Sequence, residues 1–146
     1  MELIKVEIEV SGQPRGKGRP RFTRNGHTYT DAKTKEYEKR IHAAAWQKMR
    51  ELKLKPVGKF CHLEVIAFME IPKSWSKVKQ LEAEFGAIKP ITKPDLDNII
   101  KAAKDGISGL DGIILDDKQV TSINAKKVYC NPERGAVLYI CVSWTE

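Results

Sequence analysis

The chain has 146 residues, 41% of them hydrophobic, with a formal net charge of +7, which suits one domain with a core that needs no staples. No apolar run approaches the roughly 20 residues of a membrane helix, and the opening MELIKVEIEV alternates charged with apolar residues, unlike a signal peptide, so a cytoplasmic protein is expected. Cys61, Cys130 and Cys141 form no CxxC pair, and His27, His42 and His62 lie far apart, which excludes a disulfide framework and a zinc site.

The basic excess points to an acidic partner, with nucleic acid first among them. Its distribution carries more information than its size. Residues 3–10 alternate with period two, Ile4, Val6, Ile8 and Val10 on one face, and predict a half-buried strand. Residues 11–29 are expected to be irregular, because three glycines and two prolines fall between Gly12 and Pro20. Within that stretch Arg15, Lys17, Arg19 and Arg21 recur at every second position, joined by Arg24, with no acid between Glu9 and Asp31. In an extended chain such side chains project to one side, which suits a phosphate backbone. A solvated loop is the bland reading, and five cations on a Gly/Pro frame favour the binding one. Phe22 and Tyr29 are expected to tuck against the core, with base stacking the other role open to them. A phosphate-binding P-loop is excluded: three residues, not four, separate Gly12 from Gly16, and Gly18 follows Lys17 where Ser or Thr is required.

Thr30 or Asp31 caps a helix expected to run to about Leu52, with Tyr37, Ile41, Ala44, Ala45, Met49 and Leu52 as its apolar stripe. Residues 60–71 read as a strand apolar on both faces and therefore central. A short helix is expected from Trp75 to Phe85, then a loop broken by Pro90. Residues 119–130 and 136–144 read as strands that the loop 131–135 joins as a hairpin. The fold class that follows is α+β: a single domain over residues 1–146, with a mixed β-sheet packed with helices.

Between the helical and the strand-rich portions lies the acidic stretch Lys93–Val120. Asp95 and Asp97 stand at a helix start, where capping and the helix dipole explain any single Asp. At about 100° per residue, Leu96, Ile99, Ile100, Ala103, Ile107 and Leu110 share one side, and Asp97, Lys101, Lys104 and Ser108 the other. An acid and a base four residues apart also occur on ordinary surface helices. Asp116 and Asp117 follow directly after the apolar GIIL, at an expected strand start. Convergence of the two acid pairs would put like charges about 4 Å apart, repelling by about 4 kcal/mol at an effective dielectric of 20. Such a cluster is stable ionised around a hard cation, Mg²⁺ or Mn²⁺. An EF-hand is excluded, since the loop from Asp95 lacks the required glycine and glutamate. Carboxylates holding Mg²⁺ on a basic surface describe phosphodiester cleavage, with Lys101 placed to neutralise developing charge.

These residues resemble the RusA-type Holliday junction resolvases, endodeoxyribonucleases common in phages and prophages. The resemblance rests on Asp95-Leu96-Asp97-Asn98 with Lys101, and on Leu115-Asp116-Asp117-x-Gln119-Val120. Upstream, the glycine- and arginine-rich run from Gly12 to Arg24 and the stretch from Tyr29 to Glu38 also match, so the likeness spans most of the chain. It implies a homodimer that cuts four-way junction DNA symmetrically with Mg²⁺ or Mn²⁺ in recombination and repair. It further implies that Asp95, Asp97 and Asp117 bind the metal, that Lys101 is the catalytic lysine, and that Asp116 has an open role. Pro94 replaces an arginine found in some members, so any role of that side chain falls to Lys93. The loop from Gly106 to Gly112 looks about one residue longer than in some members, which leaves the choice between Asp116 and Asp117 open. A nuclease for other branched or flapped DNA, and a non-catalytic DNA-binding protein, are the other two readings.

Overall fold

Four alternating segments form the long strands, and their register decides where the core lies. In this computed structural model, which describes residues 2–18, 21–29 and 31–146, β1 is Leu3–Ser11, β4 Cys61–Met69, β5 Val120–Tyr129 and β6 Val137–Thr145. The sheet order is β1-β6-β4-β5, antiparallel at the first two pairings and parallel at the last. One cross-strand row reads Val6, Val142, Leu63, Ile123, and the next reads Ile8, Ile140, Val65, Ala125. These apolar rows share one face, as period-two alternation requires.

Helix α1 (Ala32–Glu51) and helix α3 (Leu96–Ile107) join those rows in one hydrophobic cluster through Tyr37, Ile41, Ala45, Met49, Ile99, Ala103 and Ile107. Asp31 caps α1 by accepting the Lys33 N–H at 3.0 Å. Helix α2 (Lys77–Glu84) starts two residues later than expected, because Ser76 caps it through the Lys79 N–H. Leu52 and Leu110 leave the predicted stripes: each lies beyond its helix, 46% and 86% exposed respectively.

Two expectations need correction. Residues 131–135 do not join a hairpin, since β4 lies between β5 and β6. The physical reason is the crossover through α3, which returns β5 parallel to β4 on its outer side. The chain must then pass the end of β4 before β6 can pair with β4 and β1. The second correction is at residues 11–29, where β2 (Arg21–Phe22) and β3 (Thr28–Tyr29) pair antiparallel. Thr23 N–H donates to the His27 carbonyl at 2.8 Å, and Gly26 takes a φ of +78° in the turn. Asn25-Gly26 is the dipeptide that such turns favour. Phe22, expected against the core, is 75% exposed, whereas the Tyr29 side chain lies outside the described residues.

Helices α1 and α3 approach closely at Gly106, where a Cβ would sit 2.5 Å from Ile41 Cγ2. Gly106→Ala should therefore lower the melting temperature: the helix-propensity gain of up to about 1 kcal/mol is outweighed by overpacking of about 1–3 kcal/mol. A higher melting temperature would show that the helices separate freely. Tyr37, also on α1, has its hydroxyl buried without a partner among the described residues. Burial pushes its pKa from 10.0 up to about 12, against the opposing pull of the Arg15 backbone and Arg40. Between those values the unfolded chain loses the phenolic proton and the folded chain keeps it. Stability should therefore fall as pH rises from 10.0 to about 12, by about 1.4 kcal/mol per unit. Denaturant titrations of Tyr37→Phe should show a shallower decline, since burial raises Tyr129 and Tyr139 as well; an unchanged decline would assign it to those groups.

Candidate active site

The start of α3 is held from two sides. Lys127 ends a third cross-strand row on the core face, after Val10, Leu138 and Ala67. Its ammonium donates to the carbonyls of Thr92 and Pro94, at 2.7 and 2.9 Å. From the other side, the Lys17 N–H donates to the Asn98 carbonyl at 2.9 Å. A Cβ on Gly16 would lie 2.9 Å from Asn98 Cβ and 3.0 Å from Pro94 Cβ, so the basic loop packs directly on the first turn of α3. Only glycine allows that approach.

Asp95 occupies the N-cap, and its carbonyl accepts from Asn98 and Ile99 at 3.1 Å. Its carboxylate makes no capping hydrogen bond among the described residues. Simple capping therefore does not account for that side chain. Asp97 is exposed in the first turn and Lys101 is exposed one turn on. The ion pairs among the described residues are Lys17–Glu38, Lys17–Asp105, Lys48–Glu51 and Arg134–Glu9, so Asp97 and Lys101 do not pair with each other. Both charges remain open to an outside partner.

The cations of the loop divide into two groups. The Lys17 ammonium bonds Asp105 and lies 3.4 Å from Glu38, and its pKa is raised chiefly by the Asp105 hydrogen bond. It ties the loop to α1 and α3 together. Arg15, Arg24 and Lys93 are exposed. Arg19 lies outside the described residues, as does the Arg21 side chain.

The second acid pair precedes β5 in a short 3₁₀ turn, Asp117–Gln119, rather than opening the strand itself. Asp116 caps the turn by accepting the Lys118 N–H at 3.0 Å, while Gln119 Oε1 accepts the Asp116 N–H at 2.8 Å. The Lys118 N–H holds the Asp116 pKa below the usual carboxylate value, with Asp117 contributing in the same direction. Gln119 Nε2 then donates to the carbonyls of Val57 and Lys59, at 2.6 and 2.8 Å, which latches the turn to the segment before β4. Asp116 is thus occupied as a turn-maker, and Asp117 stands half-buried beside it.

The two acid pairs lie at opposite ends of one crossover. Lys127, near the far end of β5, holds the start of α3, whereas the Asp117 turn leads into the near end. Ten residues of helix from Asp97 to Ile107 amount to about 15 Å at ~1.5 Å per residue. Among the described residues no group of three or more His, Cys, Asp or Glu side chains lies close enough to hold a metal ion. The uncommitted oxygens of Asp95 and Asp97 suit a hard divalent cation, yet one chain does not close a three-carboxylate site.

Lys127 and the pair Glu38–Asp105 escape a reading of the sequence. Nothing in a strand pattern announces a lysine that reaches across to a loop. The spacing Asp116-x-x-Gln119, by contrast, carries the capping-box signature with Asp in the capping position.

The fold and the matched residues define an α+β DNA endonuclease. Residues 11–138, which include the basic loop, α3 and both acid pairs, match the family described as endodeoxyribonuclease RusA. The chain belongs to that family. It is also 35% identical over 139 residues to the uncharacterized protein YqaN of Bacillus subtilis (strain 168), across 91% of this chain and 94% of that protein. Among the described residues no helix is long and apolar enough to cross a membrane.

Lys127→Met removes the double grip on Thr92 and Pro94 while keeping the apolar stem. DNA cleavage should fall on the order of 10–100-fold, the cost of a displacement near 1 Å at a reacting centre, with the far-UV circular dichroism unchanged. Wild-type cleavage would show that the start of α3 needs no such support.

Proposed function

We propose that the protein is a homodimeric, structure-selective endodeoxyribonuclease that resolves four-way DNA junctions by paired, symmetric nicks, with Mg²⁺ or Mn²⁺ as cofactor. The observation that carries this reading is the pair of uncommitted carboxylates, Asp95 and Asp97, at a helix start on which a basic loop is packed. In the proposal these two residues and Asp117 are the metal ligands. A bound divalent cation would polarise the scissile phosphate and lower the pKa of a coordinated water. Lys101, unpaired with Asp97, neutralises charge that develops on the phosphate as the bond breaks. Arg15, Arg24 and Lys93, with Arg19 and Arg21, hold backbone phosphates and set the register of the junction. Lys17 acts one step back, keeping the loop against α3 through Asp105 and Glu38.

The decisive assay is a labelled four-way junction incubated with Mg²⁺ and, as control, EDTA. Symmetric nicks that require the metal are expected, and Asp97→Asn should abolish them while junction binding persists. Products from flaps or single strands alone would favour the second reading, a nuclease for other branched DNA. Metal-independent cutting, or an Asp97→Asn chain that cuts normally, would sink the metal site. Replacing Arg15 and Arg24 by Gln should lower the slope of log K against log salt by about 0.9 for each phosphate that is no longer neutralised. An unchanged slope would make those two side chains bystanders.

A further inference from the structure

We propose that one face of α1 is a track for the sugar-phosphate backbone of a duplex DNA arm, leading away from the carboxylates of α3. The inference rests on the nuclease reading above and adds a second contact surface, on a different element from the basic loop.

At about 100° per residue, Lys35, Lys39, His42, Trp46 and Arg50 fall within one strip of α1. His42 is half-buried and the other four are exposed. The helix carries three acids, Glu36, Glu38 and Glu51, and none of them lies in the strip. Lys48 and Glu51 pair at 3.6 Å on the other flank. Among the described residues Lys35, Lys39 and Arg50 make no ion pair. A merely solvated helix face alternates its signs. This strip keeps a single one.

Arg50 is also fixed in advance. Its guanidinium lies 4.7 Å from the centroid of the Trp46 ring. Stacking orders the long side chain before any ligand arrives and leaves the donor fork to meet phosphate oxygens.

The strip starts beside the first turn of α3. Gly18 N–H donates to Thr34 Oγ1 at 3.2 Å, while the neighbouring Lys17 N–H reaches the Asn98 carbonyl. Further along both helices, His42 Nδ1–H donates to the Gly106 carbonyl at 3.1 Å. Helices α1 and α3 therefore run side by side in the same direction. From Lys35 to Arg50 the strip is about 22 Å long at ~1.5 Å per residue. That length spans about six or seven base pairs at ~3.4 Å each. Lys35, Lys39 and His42 line one wall of a groove of about 270 Å³, with Asp105 and Gly106 on the other. The two acids that border it, Glu38 and Asp105, are already held by Lys17.

Duplex DNA suits this surface better than a protein does. A protein partner requires a contiguous apolar centre, and the one large apolar group of the strip, Trp46, already has Arg50 stacked on it. A polyanion requires spaced cations along its path, which the strip supplies.

The test uses the full chain on a labelled four-way junction with arms of about 20 base pairs, read by hydroxyl-radical footprinting and by salt titration of binding. The wild type should protect the backbone outward from the branch for about six or seven base pairs. Lys35→Gln with Lys39→Gln and Arg50→Gln should lose that outward protection and keep protection at the branch, with the circular dichroism unchanged. The slope of log K against log salt should drop by about 0.9 for each phosphate released, about 2.7 if all three cations engage. Lys33→Gln with Lys48→Gln, which removes charge from the other flank, should change neither the footprint nor the slope. Trp46→Ala should weaken the arm contact as Arg50→Gln does, and Trp46→Phe should restore it; full binding by Trp46→Ala would remove Trp46 from the track. A triple variant with the wild-type footprint and slope, or an other-flank pair that lowers the slope as much for each charge, overturns the proposal. If the strip protects DNA but the protein cuts none with Mg²⁺, the nuclease reading falls and the track stands. If it cuts and the triple variant binds like the wild type, the track falls and the nuclease reading stands.

Discussion

The arrangement around α3 depends on the ammonium of Lys17. One cation reaches Glu38 on α1 and Asp105 on α3, while its own backbone N–H is bonded to Asn98. Loop, first helix and third helix are thereby referred to a single point. Each group is about one-third exposed or less, which gives the pairs more weight than an open surface pair but leaves them solvent-screened. Their importance is positional. Among the described residues, the Gly/Pro-framed loop has no ladder of its own from Gly12 to Gly18, and it obtains a fixed course by borrowing partners from two helices. The Gly16 approach then brings that course against the turn bearing Asp95 and Asp97.

Charge is sorted by this scheme into structural and presented groups. Lys17, Asp105, Glu38, Lys127 and Asp116 have partners within the chain, and their geometry is fixed before any ligand arrives. Asp95, Asp97 and Lys101 form no such bonds among the described residues. Composition treats both kinds alike. The Lys17 charge is offset by the two carboxylates beside it, whereas exposed Arg15, Arg24 and Lys93 add theirs to the field felt by a polyanion.

The periodic elements are legible in the sequence because their signal is local. Alternation in Leu3–Ser11 and Cys61–Met69, and the cap at Asp31, each depend on residues within a turn or two of one another. What stays hidden is non-local. No rule of adjacency reveals that β6 slots between β1 and β4, and the short link 131–135 argues for the wrong neighbour. The acid pairs show the same divide. Asp95 and Asp97 are within one turn and read as a unit, yet their distance from Asp117 follows from the direction in which α3 crosses back. Leu110 misleads for a simpler reason: an apolar stripe continues on paper after the backbone has left the helix at Ile107.

The placement of β6 also bears on how the molecule is made. This strand follows every other one in the sequence, yet β1 and β4 pair on either side of it. During synthesis, β1 must wait for more than a hundred residues before its partner emerges, with only α1 available to shield its apolar face. β4 and β5 can meet earlier through their crossover. Long-range closure of this kind is slow, and a chain interrupted before Val137 has a lone β1 and a β4–β5 pair with no strand between them. The fold therefore withholds its completed core until nearly the whole sequence has been read, so prematurely ended chains are left as substrates for proteolysis.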